Sequence, residues 1–192
     1  SFHPVKIVTT AEGGIATTNN PELAQKMELY RSHGVTRDPS LMTENSHGGW
    51  YYQQVELGYN YRMTEMQAAL GVSQMTRLHD FVAKRNELAA NYDDLLKDFP
   101  ILIPHQISES YSGRHLYVIR LKLEEIKLSH KQVFEQLREN GVGVNLHYIP
   151  VHTQPYYQSL GFSQGLFSES ETYYEEAISI PLFHAMTEEE QD

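Results

Sequence analysis

Cysteine is missing from all 192 residues. Its absence excludes a disulfide framework and a thiolate-held zinc site, and it suits, without requiring, a reducing cytoplasm. Positive charge is scarce too: 15 Lys and Arg stand against 25 Asp and Glu, a formal net charge of -10. A surface that tracks nucleic-acid phosphates needs clustered Lys and Arg, so no nucleic-acid partner is expected. No apolar run approaches the roughly 20 residues of a membrane span, and no charged-then-apolar segment opens the chain, so no membrane partner is expected either. What is present, 40% hydrophobic and 21% charged residues, describes a globular protein able to bury one good-sized core or two small ones.

The punctuation along the chain divides it. Lys6 to Thr10 and Ile15 to Thr18 are β-rich runs around Ala11-Glu12-Gly13-Gly14 and predict a hairpin. Asn20-Pro21-Glu22 reads as cap, first-turn proline and first-turn acid of a helix that Gly34 ends. Residues 35–57 lack helical periodicity and predict a long loop. Thr64-Glu65-Met66-Gln67 is a capping box, after which apolar residues keep helical spacing to Phe99. An unbroken helix there would span roughly 50 Å, so a break is expected near Gly71 or His79-Asp80. A strand over His115–Leu123, a helix over Ser129–Glu139, a strand over Val142–Tyr148, a helix from Ser168 and a short strand over Ile178–Ile180 follow. This alternation points to a small α/β domain over 76–192, behind a first domain over 1–75. Both ends read as cuts: Ser1 starts inside a strand or its exit, and the helix capped by Thr187 runs about one turn to Asp192.

Three groups of residues can carry chemistry. The first is Ser1-Phe2-His3-Pro4-Val5-Lys6. A lysine on a proline-stiffened segment, with a hydroxyl five places upstream, is what a pyridoxal 5′-phosphate enzyme needs: the amine bonds the cofactor aldehyde and the hydroxyl meets its phosphate. On these six residues alone a surface lysine stays open, and His3 is either beside a cofactor or a core histidine. The second is Gly58-Tyr59-Asn60-Tyr61-Arg62-Met63; without further context it is a loop asparagine and a helix-flanking arginine. The third is Val144-Asn145-Leu146-His147-Tyr148-Ile149-Pro150-Val151-His152, whose polar side chains can bond a diphosphate or sugar hydroxyl and stack a base. His147 and His152 do not make a metal pair, since neither spacing nor a third ligand fits, and no metal is expected. Trp50, Tyr51 and Tyr52 either stack on a nucleotide base or pack on their own domain.

Taken together, the Ser-Phe-His-x-x-Lys opening, Glu12-Gly13-Gly14, Arg31-Ser32-His33-Gly34, the Asn60 segment with Gln67-Ala68-Ala69-Leu70-Gly71, and His147-Tyr148 resemble the DegT/StrS sugar-nucleotide aminotransferases. The resemblance implies fold type I of the pyridoxal-phosphate transferases (aspartate aminotransferase-like), with this chain supplying the end of the large domain and a small C-terminal α/β domain. It implies Lys6 as catalytic residue, Ser1, Lys6 and Asn60 on the cofactor, and Asn60, Arg62, Asn145, Leu146, His147 and Tyr148 on the substrate. Asn60 would reach into a neighbouring subunit, making an obligate homodimer with shared sites in the cytoplasm. Gly49-Trp50-Tyr51-Tyr52 and Asn60-Tyr61-Arg62-Met63-Thr64 look most like members that aminate a UDP-linked 4-keto-6-deoxy sugar, with glutamate as donor, toward pseudaminic acid. Amino-arabinose or 3-amino-sugar chemistry, or a binding module that has lost the cofactor, stay open. The family's partner for the pyridine nitrogen precedes this segment, so the 192 residues alone are not expected to turn over.

Overall fold

The computed structural model describes residues 1–191. The chain divides into two compact units, Ser1–Thr76 and Arg77–Asp192.

In the first unit α1 (Pro21–Arg31) starts as its residues dictate: the Asn20 Oδ1 accepts from the amides of Glu22 at 2.9 Å and Leu23 at 3.2 Å. Leu29 O accepts from the amides of Ser32 and Gly34, closing the helix. Strand β1 (Val35–Thr36) pairs antiparallel with β2 (Gln53–Gln54), inside the segment expected to be a loop. Two glutamines show no apolar alternation, so nothing local announces this strand. After it the chain runs back along the end of α1. His33 N donates to Tyr59 O, Tyr59 N to Tyr30 O, and Tyr61 N to Arg31 O.

Two glycines permit that crossing. A Cβ on Gly34, whose φ is +70°, would lie 1.8 Å from Glu56 O, and one on Gly58 would lie 2.3 Å from Gly34 N.

The hairpin expected at 6–10 and 15–18 does not form; residues 1–18 contain no strand. Phe2 takes the backbone bonds instead, its N donating to Gly13 O and its O accepting from Thr10 N. The second run, 15–18, forms no strand. Helix α2 (Glu65–Met75) begins at the expected box, Thr64 with Gln67. It ends at Thr76, whose Oγ1 donates back to Ser73 O at 2.8 Å, and Arg77 leaves helical angles. The break therefore falls between the two places expected, and Gly71 stays inside α2.

Among the described residues of this unit only Thr10, Gly34 and Thr36 are buried. Backbone bonds and close approaches organise it; a packed apolar core does not.

The second unit has such a core. Helix α3 (Leu78–Leu96), strands β3 (Ile101–Leu102) and β4 (Tyr117–Leu121), helices α4 (His130–Glu139), α5 (Pro155–Ser159) and α6 (Ser168–Glu176), strand β5 (Ala177–Ile180) and α7 (Glu188–Gln191) follow in order. The sheet is antiparallel in the order β3-β4-β5. Tyr117, Ile119 and Leu121 share one face of β4 and cluster with Leu88, Ala89 and Tyr92 of α3 and with Ile178 of β5. Arg120, from the opposite face, pairs with Glu176 at 2.7 Å. The Tyr117 hydroxyl donates to Asp93, and burial together with that carboxylate holds the phenol far above its usual pKa. Arg85, 6% exposed, gives Nη1 to the carbonyls of Arg114, His115 and Leu182. The expected strand 142–148 contracts to a single bridge, Asn145 with Ser179, because Val142 and Val144 turn their amides to nearby carbonyls.

Beyond Tyr148, a 3-10 turn at Val151–Thr153 places His152 with its Nε2 2.7 Å from Glu171 Oε1. Glu171 also accepts from the Gly165 amide at 2.7 Å. The His152 bond, ahead of the amide, pulls this carboxyl below the usual glutamate range.

Two predictions follow from these contacts. Gly34→Ala or Gly58→Ala drives a methyl into backbone, and should destabilise by about 3 kcal/mol or more, read as a fall in melting temperature of the full-length protein. Glu171 binds its proton more readily when unfolded, so its contribution is complete above the unfolded pKa near ~4.3 and disappears as pH drops through the lower folded value. Glu171→Gln should therefore flatten the acid limb of a stability–pH curve below about pH 4.5 while shifting neutral-pH stability as well.

Candidate active site

Lys6 stands on a turn that its own amide closes, donating to His3 O at 2.9 Å. Its side chain is half-buried, while Ser1 and His3 are exposed. His3 is thus no core histidine; its Nε2 lies 3.7 Å from Glu12 Oε1. The turn is held in place twice over. Thr9 Oγ1 and Thr10 N both donate to Phe2 O, and Gln67 of α2 donates from Nε2 to Glu12 O at 3.2 Å. The lysine therefore projects from a segment tied to itself and to the first turn of α2.

Asn60 and Arg62 belong to a different part of the same unit, the return strand after Gly58. Asn60 lies opposite Ser32 in a β-bridge whose bonds are made by the flanking Tyr59 and Tyr61, and it is exposed. Tyr59 and Tyr61, exposed on either side, stack on each other with centroids 4.9 Å apart at 8°. Arg62 lines a cavity of about 510 Å³ with Ser32, His33, Val35, Arg37 and Tyr52. An adjoining cavity of about 260 Å³ shares Arg37 and includes Glu44, Asn45, Ser46 and Gly48. The sequence marked Arg62 and Tyr52; Arg37 carried no signal, since it sits in an aperiodic stretch and only the β1–β2 pairing brings it to the cavity wall.

In the second unit the Asn145–Tyr148 stretch is shaped by Ser179 of β5, which is 4% exposed. Asn145 exchanges both backbone bonds with Ser179, at 3.0 and 2.8 Å, and His147 Nδ1 lies 2.8 Å from the Ser179 hydroxyl. Asn145 Oδ1 accepts from the half-buried Leu146 amide. The Tyr148 ring meets His147 edge-on at 4.6 Å and is 70% exposed. Ser179 escaped sequence reasoning because a serine in a short strand looks like any other. Among the described residues no group of three or more His, Cys, Asp or Glu is placed to hold a metal ion.

Residues 1–192 match the DegT/DnrJ/EryC1/StrS aminotransferase family. The chain is 33% identical over its whole length to the spore coat polysaccharide biosynthesis protein SpsC of Bacillus subtilis, covering 50% of it. It is 36% identical over 94% of its length to the Helicobacter pylori UDP-4-amino-4,6-dideoxy-N-acetyl-beta-L-altrosamine transaminase, covering 46% of that protein. Among solved structures, Helicobacter pylori PseC, an aminotransferase involved in the biosynthesis of pseudoaminic acid, superposes with a TM-score of 0.87 at 33% identity, over 100% of this chain and 49% of its own. The chain thus spans about half the length of the curated relatives it matches. Its fold is that of these aminotransferases, and the chain belongs to the pyridoxal-phosphate-dependent DegT/DnrJ/EryC1/StrS aminotransferase family.

Proposed function

We propose that the protein containing this chain is a pyridoxal-phosphate-dependent aminotransferase acting on a nucleotide-linked 4-keto-6-deoxy sugar of the UDP-N-acetyl-altrosamine type. Glutamate is the amino donor, and the product feeds surface-glycan synthesis of the pseudaminic acid kind. The observation that carries the reading is Lys6, half-buried on a turn braced at Phe2 and at Gln67 of α2.

The residues present fit the cofactor in kind: a primary amine for its aldehyde at Lys6, a hydroxyl at Ser1 and an amide at Asn60 for its phosphate. When bound, the cofactor supplies the electron sink that stabilises charge on the substrate carbon. Lys6 Nζ would hold it through its aldehyde and, when not so bonded, would be the base that moves a proton at the substrate carbon. In the first unit Arg62, and in the second Asn145, His147 and Tyr148, are the side chains suited to polar groups of a nucleotide sugar, and Leu146 is suited to an apolar part of it.

Asn60 completes the site of a second copy, so the enzyme is a homodimer. The exposed Tyr59–Tyr61 stack around Asn60 supports a face that meets another chain, since aromatic rings are enriched where proteins associate. No described helix is long and apolar enough to cross a membrane, and we place the enzyme in the cytoplasm. The similarity to the spore coat polysaccharide protein SpsC favours a second reading, amination of a different keto sugar by the same machinery, such as one giving an amino-arabinose or 3-amino sugar.

Borohydride reduction of the full-length protein with cofactor should fix a mass increment on the Lys6 peptide, lost in Lys6→Ala. That variant should lose about 10³-fold or more in turnover. A panel of UDP- and dTDP-keto sugars separates the two readings. Absence of any adduct at Lys6 sinks both. In a dimer with shared sites, mixing inactive Lys6→Ala and Asn60→Ala subunits should restore part of the activity, because one site of each hybrid regains both residues; no recovery removes the sharing.

A further inference from the structure

Arg37 lines both of these first-unit cavities. The larger one, about 510 Å³, has two guanidiniums, Arg37 and Arg62, and no carboxylate among its lining residues. The smaller one sets Glu44 against Arg37. Neither arginine makes an ion pair or a side-chain hydrogen bond with a described residue. The acid next in sequence, Asp38, is not among the lining residues of either cavity, and its Oδ1 accepts from Ser40 N at 2.9 Å and Ser40 Oγ at 2.8 Å. In a chain of net charge -10, two unpaired guanidiniums on one concave surface are a local reversal of sign. The like charges repel until an anion with several acceptor oxygens lies between them.

From this geometry we propose that Arg37 is a substrate-binding residue that, with Arg62, clamps the diphosphate of the nucleotide-linked substrate in the larger cavity. The inference rests on the aminotransferase reading and adds to it a second cation in the first unit. A diphosphate fits better than a single carboxylate because its oxygens reach two forks at once, and each fork binds phosphate oxygens in pairs. The volume is in the range of small-molecule sites, roughly 300–1,000 Å³. The exposed Tyr52 ring on the same wall leaves an aromatic surface beside the clamp.

The test is calorimetric titration of UDP and of inorganic pyrophosphate into full-length, cofactor-loaded protein, as wild type, Arg37→Gln and Arg37→Lys. Losing one charge-assisted pair should weaken both ligands about 10- to 100-fold in Arg37→Gln. Arg37→Lys, which keeps the charge without the fork, should recover part of that loss. Because Arg37 is exposed and bonds to no described side chain, the melting temperature should not move. UDP binding to Arg37→Gln as tightly as to wild type overturns the inference, as does a loss matched by a fall in melting temperature. A rise in KM for glutamate with UDP affinity unchanged also overturns it, by making the anion a carboxylate. A wild type that carries the reducible adduct at Lys6 but binds neither probe overturns the clamp and leaves the aminotransferase reading standing. A wild type without the adduct overturns that reading itself.

Discussion

The first unit depends on one close crossing of backbone, where the end of α1 meets the return strand at Gly34 and Gly58. With 1.8 Å between a Gly34 Cβ and Glu56 O, no side chain fits there. The approach lets His33, Tyr59 and Tyr61 form the three backbone bonds that run the return strand along the helix end. Everything of interest in 32–62 hangs from it. Asn60 is displayed because Tyr59 and Tyr61 on either side of it are held by His33 and Arg31, and Arg62 reaches the cavity because it comes two residues later. Arg37 reaches the same cavity because β1 leaves the crossing toward β2. The glycines act as the pin of the crossing, and their lack of a side chain is what permits it.

The two units are held together internally by different physics. In Arg77–Asp192 a cluster around Leu88, Tyr117 and Ile178, all fully or nearly fully buried, provides the hydrophobic free energy of an ordinary small domain. In Ser1–Thr76 the large apolar side chains stay outside: Leu57 and Met66 are each 83% exposed. Hydrogen bonds there are many, yet each contributes little net of water, so backbone pairing alone is weak support. A unit with this much uncovered apolar surface fits a chain spanning about half the length of its relatives.

The legible parts of the sequence were those with a local cause. The box at Thr64, the Asn20 cap and the periodicity of α3 each follow from neighbours within four residues, and all stand where expected. The hairpin at 6–18 failed because β propensity says nothing about which partner wins: Phe2, from outside the run, took the bonds. The pairing of Gln53–Gln54 with Val35–Thr36 was invisible for the same reason, as was the shrinking of the strand at 142–148 to one bridge. Of the candidate site, the residues in contiguous motifs were readable, whereas Arg37 and Ser179 gain their positions from elements 16 or more residues away.

Composition determined that the chain has no thiol and an excess of acid, and the order of its motifs, through their resemblance, determined the aminotransferase family that the chain matches along its whole length. Tertiary structure alone decided which side chains meet. It placed two arginines 25 positions apart on one cavity and clasped His147 to a buried serine of β5. It also closed Phe2 onto Gly13. Contacts of that range cost chain entropy to form, and they are chosen by competition among all the backbone and side-chain partners in the fold, which no window of neighbouring residues contains.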